Sequence, residues 1–567
     1  MPGFCIKNIK TRTEPDEFRQ AYMVQNEMLV DEYYVSRKTI NKFLDDKVFL
    51  QDEHCAIITE GVTLNKNELV SIYGSRSFGE TIIELKKDKG SEFFSEFKGP
   101  FSGGYYDKQN KAWTIWTNQT GESSVFYYAK NDIIIIASNP FYILSGIKDA
   151  GLSITLNEDA IVSLLTYGYM YDMSTPAQEV KRLLPGQYLT IQNGTVAVHQ
   201  YYSIPWGKYD LSSWSEEAIL DEINKRFIRA IKLEYDKDIE YGYAHLADLS
   251  GGLDCRMASW VAKKCGYKDI VNVHYSQSGS NEEEITKNIV ASLGTELLFY
   301  PLDNHRFLYD AEAIIQLNYG LQLFSGITGG KRLLDTIDFC HFGMEHTGMI
   351  GDIVLGSYLN STADYSKPQL LGLYSYKNKD LLSLDHLKQF GGNAEKQYIM
   401  IRGLLGALSS AFIRRHYTEI ASPFMDVDFM EFCFSIPYKQ RAEHKIYKKW
   451  ILKYYPEAAN IRWSSDDTKL TDGKITKVLR RAYYHGPKKL ARVLGINAGN
   501  NSGMNPFSYW YSSDPQIEVQ WMELINRTEG KCSELLFSSI DKLFKEGSAQ
   551  EKTQAISAAL AIDYWMK

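Results

Sequence analysis

The chain has 567 residues, of which 44% are apolar and 23% charged, with a net charge of −7. That length gives about two to four domains with a substantial core, and the acidic balance excludes the basic footprint of a nucleic-acid binder. No apolar run approaches the roughly eighteen residues of a membrane span, and the start, MPGFCIKNIK, lacks the charged-then-apolar layout of a signal peptide.

Seven cysteines, an odd number scattered without C-x-x-C spacing, fit a reducing cytoplasm better than a disulfide framework and offer no zinc-ligand pattern. From residue 1 to about 205, short β-type runs follow one another: HCAIITEGV, GPFSGGYYD, AWTIWTN, SSVFYYA, IIIIAS and GQYLTIQNGTVAVHQYY. Each is bounded by Gly, Asn, Asp or Lys clusters, which predicts antiparallel sheets with hairpins. IPWGKYDLSSW, at 204–214, reads as a linker. From about 215, helical patterns alternate with apolar strands, as in DIVNVHYS, EEEITKNIVASLG and TELLFYPLD. That alternation predicts a βαβαβ unit with a parallel sheet, which binds ligands beyond the C-terminal ends of its strands. Beyond about 380 the chain reads as mostly helical, with no internal repeat and no low-complexity tract. The expected division is 1–205 and 206–567.

The stretch YAHLADLSGGLDCRMASWVAKKCG, 243–266, carries the chemistry. Ala244 to Leu249 reads as a short strand. Met257, Trp260, Val261 and Cys265 recur at helical spacing, and Gly266 supplies the stop. Strand, small-residue turn and helix together aim backbone N–H groups and a helix dipole at an anion. Two glycines after a strand also read as a plain tight turn, and the G-x-x-x-x-G-K-[ST] phosphate loop is absent. Asp254 tips the balance, because on the first helical turn a carboxylate can hold the magnesium of a nucleotide.

LSGGLDC, 249–255, resembles the pyrophosphatase loop of the asparagine-synthetase family, usually S-G-G-L-D-S. Further segments are similar to that family's in the same order. LLPGQYLTI…YY, 183–202, looks like its domain boundary, and HTGMIGDIVLGSY, 346–358, like a worn S-G-E-G-S-D-E-x-x-G-G-Y. SPFMDVDFMEF, 422–432, is similar to V-P-F-L-D-x-x-F/L, and HKIYKKWILKYYPE, 444–457, to its G-K-x-x-x-(R/K) helix. The resemblance implies an N-terminal antiparallel sandwich of the Ntn-hydrolase type, then a parallel-sheet pyrophosphatase-loop synthetase domain with a helical C-terminal part. It implies a ligase that uses ATP and Mg2+ to convert a carboxylate into an acyl-adenylate and pyrophosphate. Ammonia or an amine then displaces AMP. The partners implied are a small-molecule or peptide carboxylate and a nitrogen donor, with neither nucleic acid nor membrane, and a homodimer is compatible with it.

Carried over residue by residue, Ser250, Gly251, Gly252, Leu253, Asp254 and Cys255 match the loop, with a thiol where the family has a second serine hydroxyl. Asp352 matches the second magnesium aspartate. Leu249, Tyr275, Thr347 and Gly348 match positions lining the nucleotide. Lys445 matches the lysine that neutralises charge as the adenylate forms, and Lys448, a turn later, is the alternative. Asp426 reads as a helix-capping carboxylate.

The departures are as informative. The family's N-terminal nucleophilic cysteine is Pro2 here, and Cys5 lies three residues too deep. The glutamine-gripping N-G-E becomes Glu60, Gly61 and Val62, and R-D-x-x-G-x-x-P becomes TNQTGESS, 117–124, keeping Gly121. These losses predict a glutaminase-like domain without glutaminase activity, as in β-lactam synthetases and lasso-peptide cyclases. In the synthetase half, acidic positions become Met349 and Ile353, and Ser464 stands where a basic residue usually does. His346, Glu345 and Glu419 are the candidate stand-ins for the lost base. The leading expectation is an AMP-forming amide-bond ligase of natural-product or surface-glycan biosynthesis. The others are a silent scaffold, which leaves the retained loop, Asp352 and Lys445 unexplained, and a tRNA-thiolating enzyme, which wants a basic surface and paired cysteines.

Overall fold

The computed structural model describes residues 2–9, 23–360, 370–383, 385, 387, 393–493 and 503–567. Up to Gln200 the described chain forms two six-stranded antiparallel sheets. In one, Gly3–Lys7 lies between Tyr33–Ile40 and Ile133–Ala137. In the other, Phe101–Asp107 lies between Cys55–Gly61 and Ala112–Thr117.

Side chains alternate between the faces of each strand. Phe4 and Ile6 therefore enter the layer between the sheets, with Ile58, Trp113 and Ile115. Cys5, between them, faces outward into the cluster of Tyr142, Ile143 and Ile147 from the helix Pro140–Asp149. On the outer face of the second sheet Trp116 stacks on Phe94 at 4.9 Å, within a cluster that also draws on the helix Phe78–Lys89. That helix and Lys66–Tyr73 interrupt a region that the β-runs alone do not mark as helical. Ser77 caps the former, its side chain accepting from Glu80 N–H, and its apolar face covers the sheet.

The helix Glu216–Glu240, capped by Ser215, leads into a five-stranded parallel sheet. Across it the strands run Glu296–Pro301, Ile270–Ser276, Ala244–Asp248, Phe342–His346 and Ile420–Ala421. Both faces are covered, as a parallel sheet requires. Leu246 and Val273 join the C-terminal helices, including Ala549–Trp565, on one face. Ala247 and Ile270 pack with the helices Glu216–Glu240 and Asp254–Lys264 on the other. The chain grows outward in one direction from Ala244–Asp248, then restarts on its other side with Phe342–His346. That reversal opens a crevice at the C-terminal ends of these two strands. The fold class read from the sequence, an antiparallel sandwich followed by a parallel-sheet part with a helical C-terminal region, is the one observed. Among the described residues no helix is long and apolar enough to cross a membrane.

Buried charges join the two parts. Asp46 accepts from Lys237 Nζ at 3.0 Å and from the Tyr241 hydroxyl at 2.5 Å. Lys66 reaches Glu240 at 2.6 Å, Lys47 reaches Glu419 at 2.8 Å, and Lys42 donates to Gly343 O and Thr418 Oγ1, both at 2.7 Å. Asp46→Ala leaves the buried Lys237 and Lys66 ammonium groups on the single carboxylate of Glu240. It is expected to cost about 3–5 kcal/mol, read as a lower thermal midpoint and faster proteolysis around residues 41–48. An unchanged midpoint would show that this junction does not hold the two parts together.

Candidate active site at the head of the parallel sheet

Two turns meet in the crevice. The strand Ala244–Asp248 passes through Leu249–Leu253 into the helix Asp254–Lys264, and Phe342–His346 passes through Thr347–Ile350 into the short helix Gly351–Val354. A Cβ on Gly348 would lie 2.3 Å from Cys255 N, and one on Gly351 2.7 Å from Asp254 Cγ. Only glycine allows that approach.

The packing brings Asp254 and Asp352 together. The backbone N–H of Asp352 donates to Asp254 Oδ2 at 3.0 Å, and the buried Tyr447 hydroxyl donates to Asp254 Oδ1 at 2.9 Å. Burial and then the neighbouring Asp352 charge push the Asp254 carboxyl well above the usual carboxylate range. Burial raises Asp352 as well, against the pull of the Tyr358 hydroxyl. Two carboxylates in such a setting gain from a divalent cation between them. Burial, with Asp248 and Asp254 adding to it, pushes the Cys255 thiol up to about 12, so it stays protonated and is no nucleophile at neutral pH.

The loop's donors are capped from within. Gly251 N–H donates to the Glu282 carboxylate, and Gly252 N–H to Ser250 Oγ at 3.3 Å. Glu282 stands on the first turn of the helix Asn281–Leu293, so a carboxylate already occupies a donor that the strand–turn–helix geometry offers to an anion. Arg256, fully buried, ties the loop down from behind, donating to the carbonyls of Gly251, Ala458, Ile461 and Arg462. The Ser464 N–H also reaches Gly251 O, at 3.2 Å. The side chains of Leu249 and Leu253 are buried in the core, so these residues offer only backbone to a ligand.

A second polar group lies on one face of the same sheet. Leu246 pairs with Glu345 and Ala247 with His346, so alternation puts Asp248, Glu345 and Thr347 on one side and His346 on the other. Arg414 bridges Asp248 Oδ2, at 3.0 Å, and the Glu345 carboxylate. Burial and the Asp248 charge push Glu345 up to about 8 despite Arg414. Tyr275 lies beside them, its hydroxyl raised by burial, and its ring packs against Gly330. Of the three stand-in bases, only Glu345 shares the face of Thr347. His346 is engaged on the opposite face with Asp238 Oδ2 at 2.7 Å, and Glu419 is held by Lys47 at the junction.

Lys445 opens the helix Lys445–Tyr454 and is half exposed, its Nζ 3.6 Å from Glu443. Tyr447, two residues on, is the side chain of this helix that reaches Asp254. Lys448 lies over the Trp463 ring at 5.0 Å. Asp426 caps its helix by accepting from Phe429 N–H at 2.9 Å. Sequence reasoning did not pick out Asp248, Arg256, Glu282, Arg414 or Tyr447. Asp248 could have been found, because it ends the strand immediately before the loop. The others depend on distant segments.

In the antiparallel part, Val62 is buried with Phe43, Met344 and Ala421, and Gly61 adopts φ +87° with Pro100 O where a Cβ would stand. Glu60 accepts from Thr39 Oγ1 at 2.8 Å. A cavity away from the nucleotide-type loop is lined by Pro2, Glu60, Gly61, Glu122, Asn139 and Arg415 among others. Cys5 does not line it; the residue is fully buried, and that burial pushes its thiol up to about 12.

Residues 48–202 match the family model of a glutamine amidotransferase domain. The chain is 20% identical over 274 residues to asparagine synthetase 1 (glutamine-hydrolyzing) of Bacillus subtilis strain 168, covering 47% of this chain and 42% of that one. It is 24% identical over 240 residues to asparagine synthetase B (glutamine-hydrolyzing) of Escherichia coli strain K12, covering 41% and 36%. The match thus spans less than half the length of these relatives. Among solved structures, the allosteric regulatory enzyme of purine biosynthesis aligns at 10% identity over 53% of this chain and 74% of that one, with a TM-score of 0.23. A glutamine phosphoribosylpyrophosphate amidotransferase from B. subtilis aligns at 10% over 47% and 67%, with a TM-score of 0.21.

A thiol raised to about 12 is almost wholly un-ionised at pH 8. Native protein treated with iodoacetamide at pH 8 is therefore expected to leave Cys5 unmodified, with alkylation only after unfolding in urea. Peptide mass spectrometry reads the result. Fast modification of Cys5 in the native state would place it in an open, activated site.

Proposed function

From the premise of an asparagine-synthetase-like chain, we propose an AMP-forming amide-bond ligase, divided into a glutaminase-like domain, 1–205, and a synthetase-like domain, 206–567. The observation that carries this reading is the meeting of Asp254 and Asp352 at the head of the sheet, beside backbone donors suited to an anion. Ser250, Gly251 and Gly252 are the residues that would hold the phosphates of ATP, through backbone donors that Glu282 and Ser250 Oγ satisfy here. Asp254 and Asp352 are the residues to hold Mg2+, and the raised Asp254 carboxyl fits a cation there. Bound, the ion neutralises phosphate charge. Tyr447 fixes the orientation of Asp254. Leu249, Tyr275, Thr347 and Gly348 border the nucleotide.

The chemistry balances in two steps. A carboxylate oxygen forms a bond to the α-phosphorus as the bond to pyrophosphate breaks. The amine nitrogen then bonds to the acyl carbon as the carbon–oxygen bond to AMP breaks, and one N–H proton leaves to a base. Glu345 is the best-placed candidate for that proton, with its carboxyl raised to about 8 on the face of Thr347. Free ammonia or an amine, rather than glutamine, supplies the nitrogen, because Cys5 is buried in mid-strand and takes no part in the cavity. A specialised pathway, such as natural-product or surface-glycan assembly, suits a site without the usual acidic residues at Met349 and Ile353, and the chain acts in the cytoplasm.

Isotope exchange between pyrophosphate and ATP, screened with pooled carboxylic acids, tests the first step. Asp254→Asn, a near isostere, is expected to reduce exchange by at least about 10²-fold while leaving the fold intact. Exchange at the wild-type rate in that variant would remove the loop from the reaction. Absence of exchange with every pool and the wild-type protein would favour a silent scaffold.

Lys445 separates the same two readings. An ammonium that meets charge developing on the α-phosphate is worth about 10²–10³ in rate. Lys445→Ala is expected to lower kcat by that factor with little change in ATP affinity, whereas Lys448→Ala costs far less. The reverse order of effects would move the assignment one helical turn.

A further inference from the structure

On the face of the parallel sheet opposite Glu345, three side chains converge. Asp238 lies in the last turn of the long helix Glu216–Glu240, His245 lies in the central strand, and His346 closes its neighbour. His245 Nδ1 is 3.0 Å from Asp238 Oδ2, and His346 Nε2 is 2.7 Å from the same oxygen. One ligand atom from each lies within 4.8 Å of the other two, and all three residues are buried. We propose that Asp238, His245 and His346 bind a divalent transition metal, zinc foremost, as a structural clamp beneath the candidate nucleotide site.

Four features of the surroundings support this. The donor set, two imidazole nitrogens and a carboxylate oxygen, is one that zinc favours over calcium or magnesium. The outer groups are arranged as around a metal. Glu234 faces His346 Nδ1 at 3.4 Å, which turns Nε2 toward the cluster, and Met344 N–H holds Asp238 Oδ1 at 2.9 Å, leaving Oδ2 for the site. The Tyr235 ring stacks on His346 at 3.9 Å and fixes its plane. Gly343 is required, because a Cβ there would stand 1.9 Å from Asp238 Oδ1.

Charge points the same way. Glu234 and Asp238 bring two carboxylates into a buried site. A divalent ion bound through neutral imidazoles would offset both. The lysines around it are engaged elsewhere: Lys42 serves Gly343 O and Thr418 Oγ1, and Lys237 serves Asp46 and Glu240. A metal here would bind the helix to the two strands whose ends carry Ser250–Asp254 and Thr347–Asp352. It would therefore fix the spacing of the two turns without touching a substrate.

The test needs no substrate. Full-length protein, produced in zinc-supplemented medium and purified without chelator, is analysed by inductively coupled plasma mass spectrometry. About one zinc per chain is expected, falling at least about tenfold in His245→Asn and in Asp238→Asn. Because either variant can fail to fold, wild-type protein is also stripped with dipicolinate and reloaded with Co2+. Stripping is expected to lower the thermal midpoint, and Co2+ to restore it with a visible d–d absorption that the stripped protein lacks. Protein that contains no stoichiometric metal and develops no cobalt spectrum overturns the proposal, leaving the cluster a hydrogen-bonded imidazole–carboxylate network. Zinc that persists unchanged in a folded His245→Asn variant overturns it too, because the ion then lies elsewhere. Neither result bears on pyrophosphate exchange, so the ligase reading stands or falls separately.

Discussion

The alternation of side chains along two adjacent parallel strands decides where the buried polar groups of this protein stand. Ala244–Asp248 and Phe342–His346 are paired so that Leu246 faces Glu345 and Ala247 faces His346. Because the period of a strand is two, a slip by one residue would exchange every side chain between faces. It would carry Glu345 to the helix side and His346 toward Arg414. The register therefore keeps two buried polar clusters apart: Asp248, Glu345 and Arg414 on one face, and Asp238, His245 and His346 on the other. The turns beyond the strands take their position from the same pairing, which brings Gly348 against Cys255 and Asp352 against Asp254.

Polar groups buried this deeply are costly unless each is met by a partner. Arg256 illustrates the requirement. Its guanidinium is wholly buried and donates to four carbonyls drawn from the loop and from 458–462, so it behaves as an internal strut. The junction between the antiparallel and parallel parts works in the same way through Asp46, Lys237, Lys66 and Glu240. Such pairs add little net stability relative to apolar packing, but they penalise any other docking of the two parts, which would leave charges buried without partners.

In the antiparallel part, whose residues 48–202 match the model of a glutamine amidotransferase domain, the buried polar side chains are met by partners. Glu60 is bonded to Thr39, Val62 is core, and Asn118 and Thr120 both donate to the buried Glu122. Of the residues where the family resemblance expects glutamine contacts, Glu60 and Gly61 border the cavity, Ser123 accepts from Arg415, and Val62 packs in a core. The same economy appears in the loop, where Glu282 and Ser250 Oγ satisfy the donors of Gly251 and Gly252.

Much of this was legible in the sequence. The strand, turn and helix around Ser250, the β-runs as far as Gln200, the alternation that demands a parallel sheet and the capping role of Asp426 all follow from neighbours a few residues apart. Periodicity, turn chemistry and caps are local, so a sequence displays them directly. The resemblance added Asp352, because its segment keeps an aspartate at the matching spacing. What the sequence could not display were pairings across long chain separations: Arg414 with Asp248, Lys237 with Asp46, and Asp238 with His346, which are 166, 191 and 108 residues apart. It offered Glu345, His346 and Glu419 as equal candidates for a base. Only the tertiary structure shows that Glu345 lies on the face of Thr347 with Arg414, His346 on the opposite face with Asp238, and Glu419 at the junction with Lys47, because strand register and the approach of distant charged side chains decide those places.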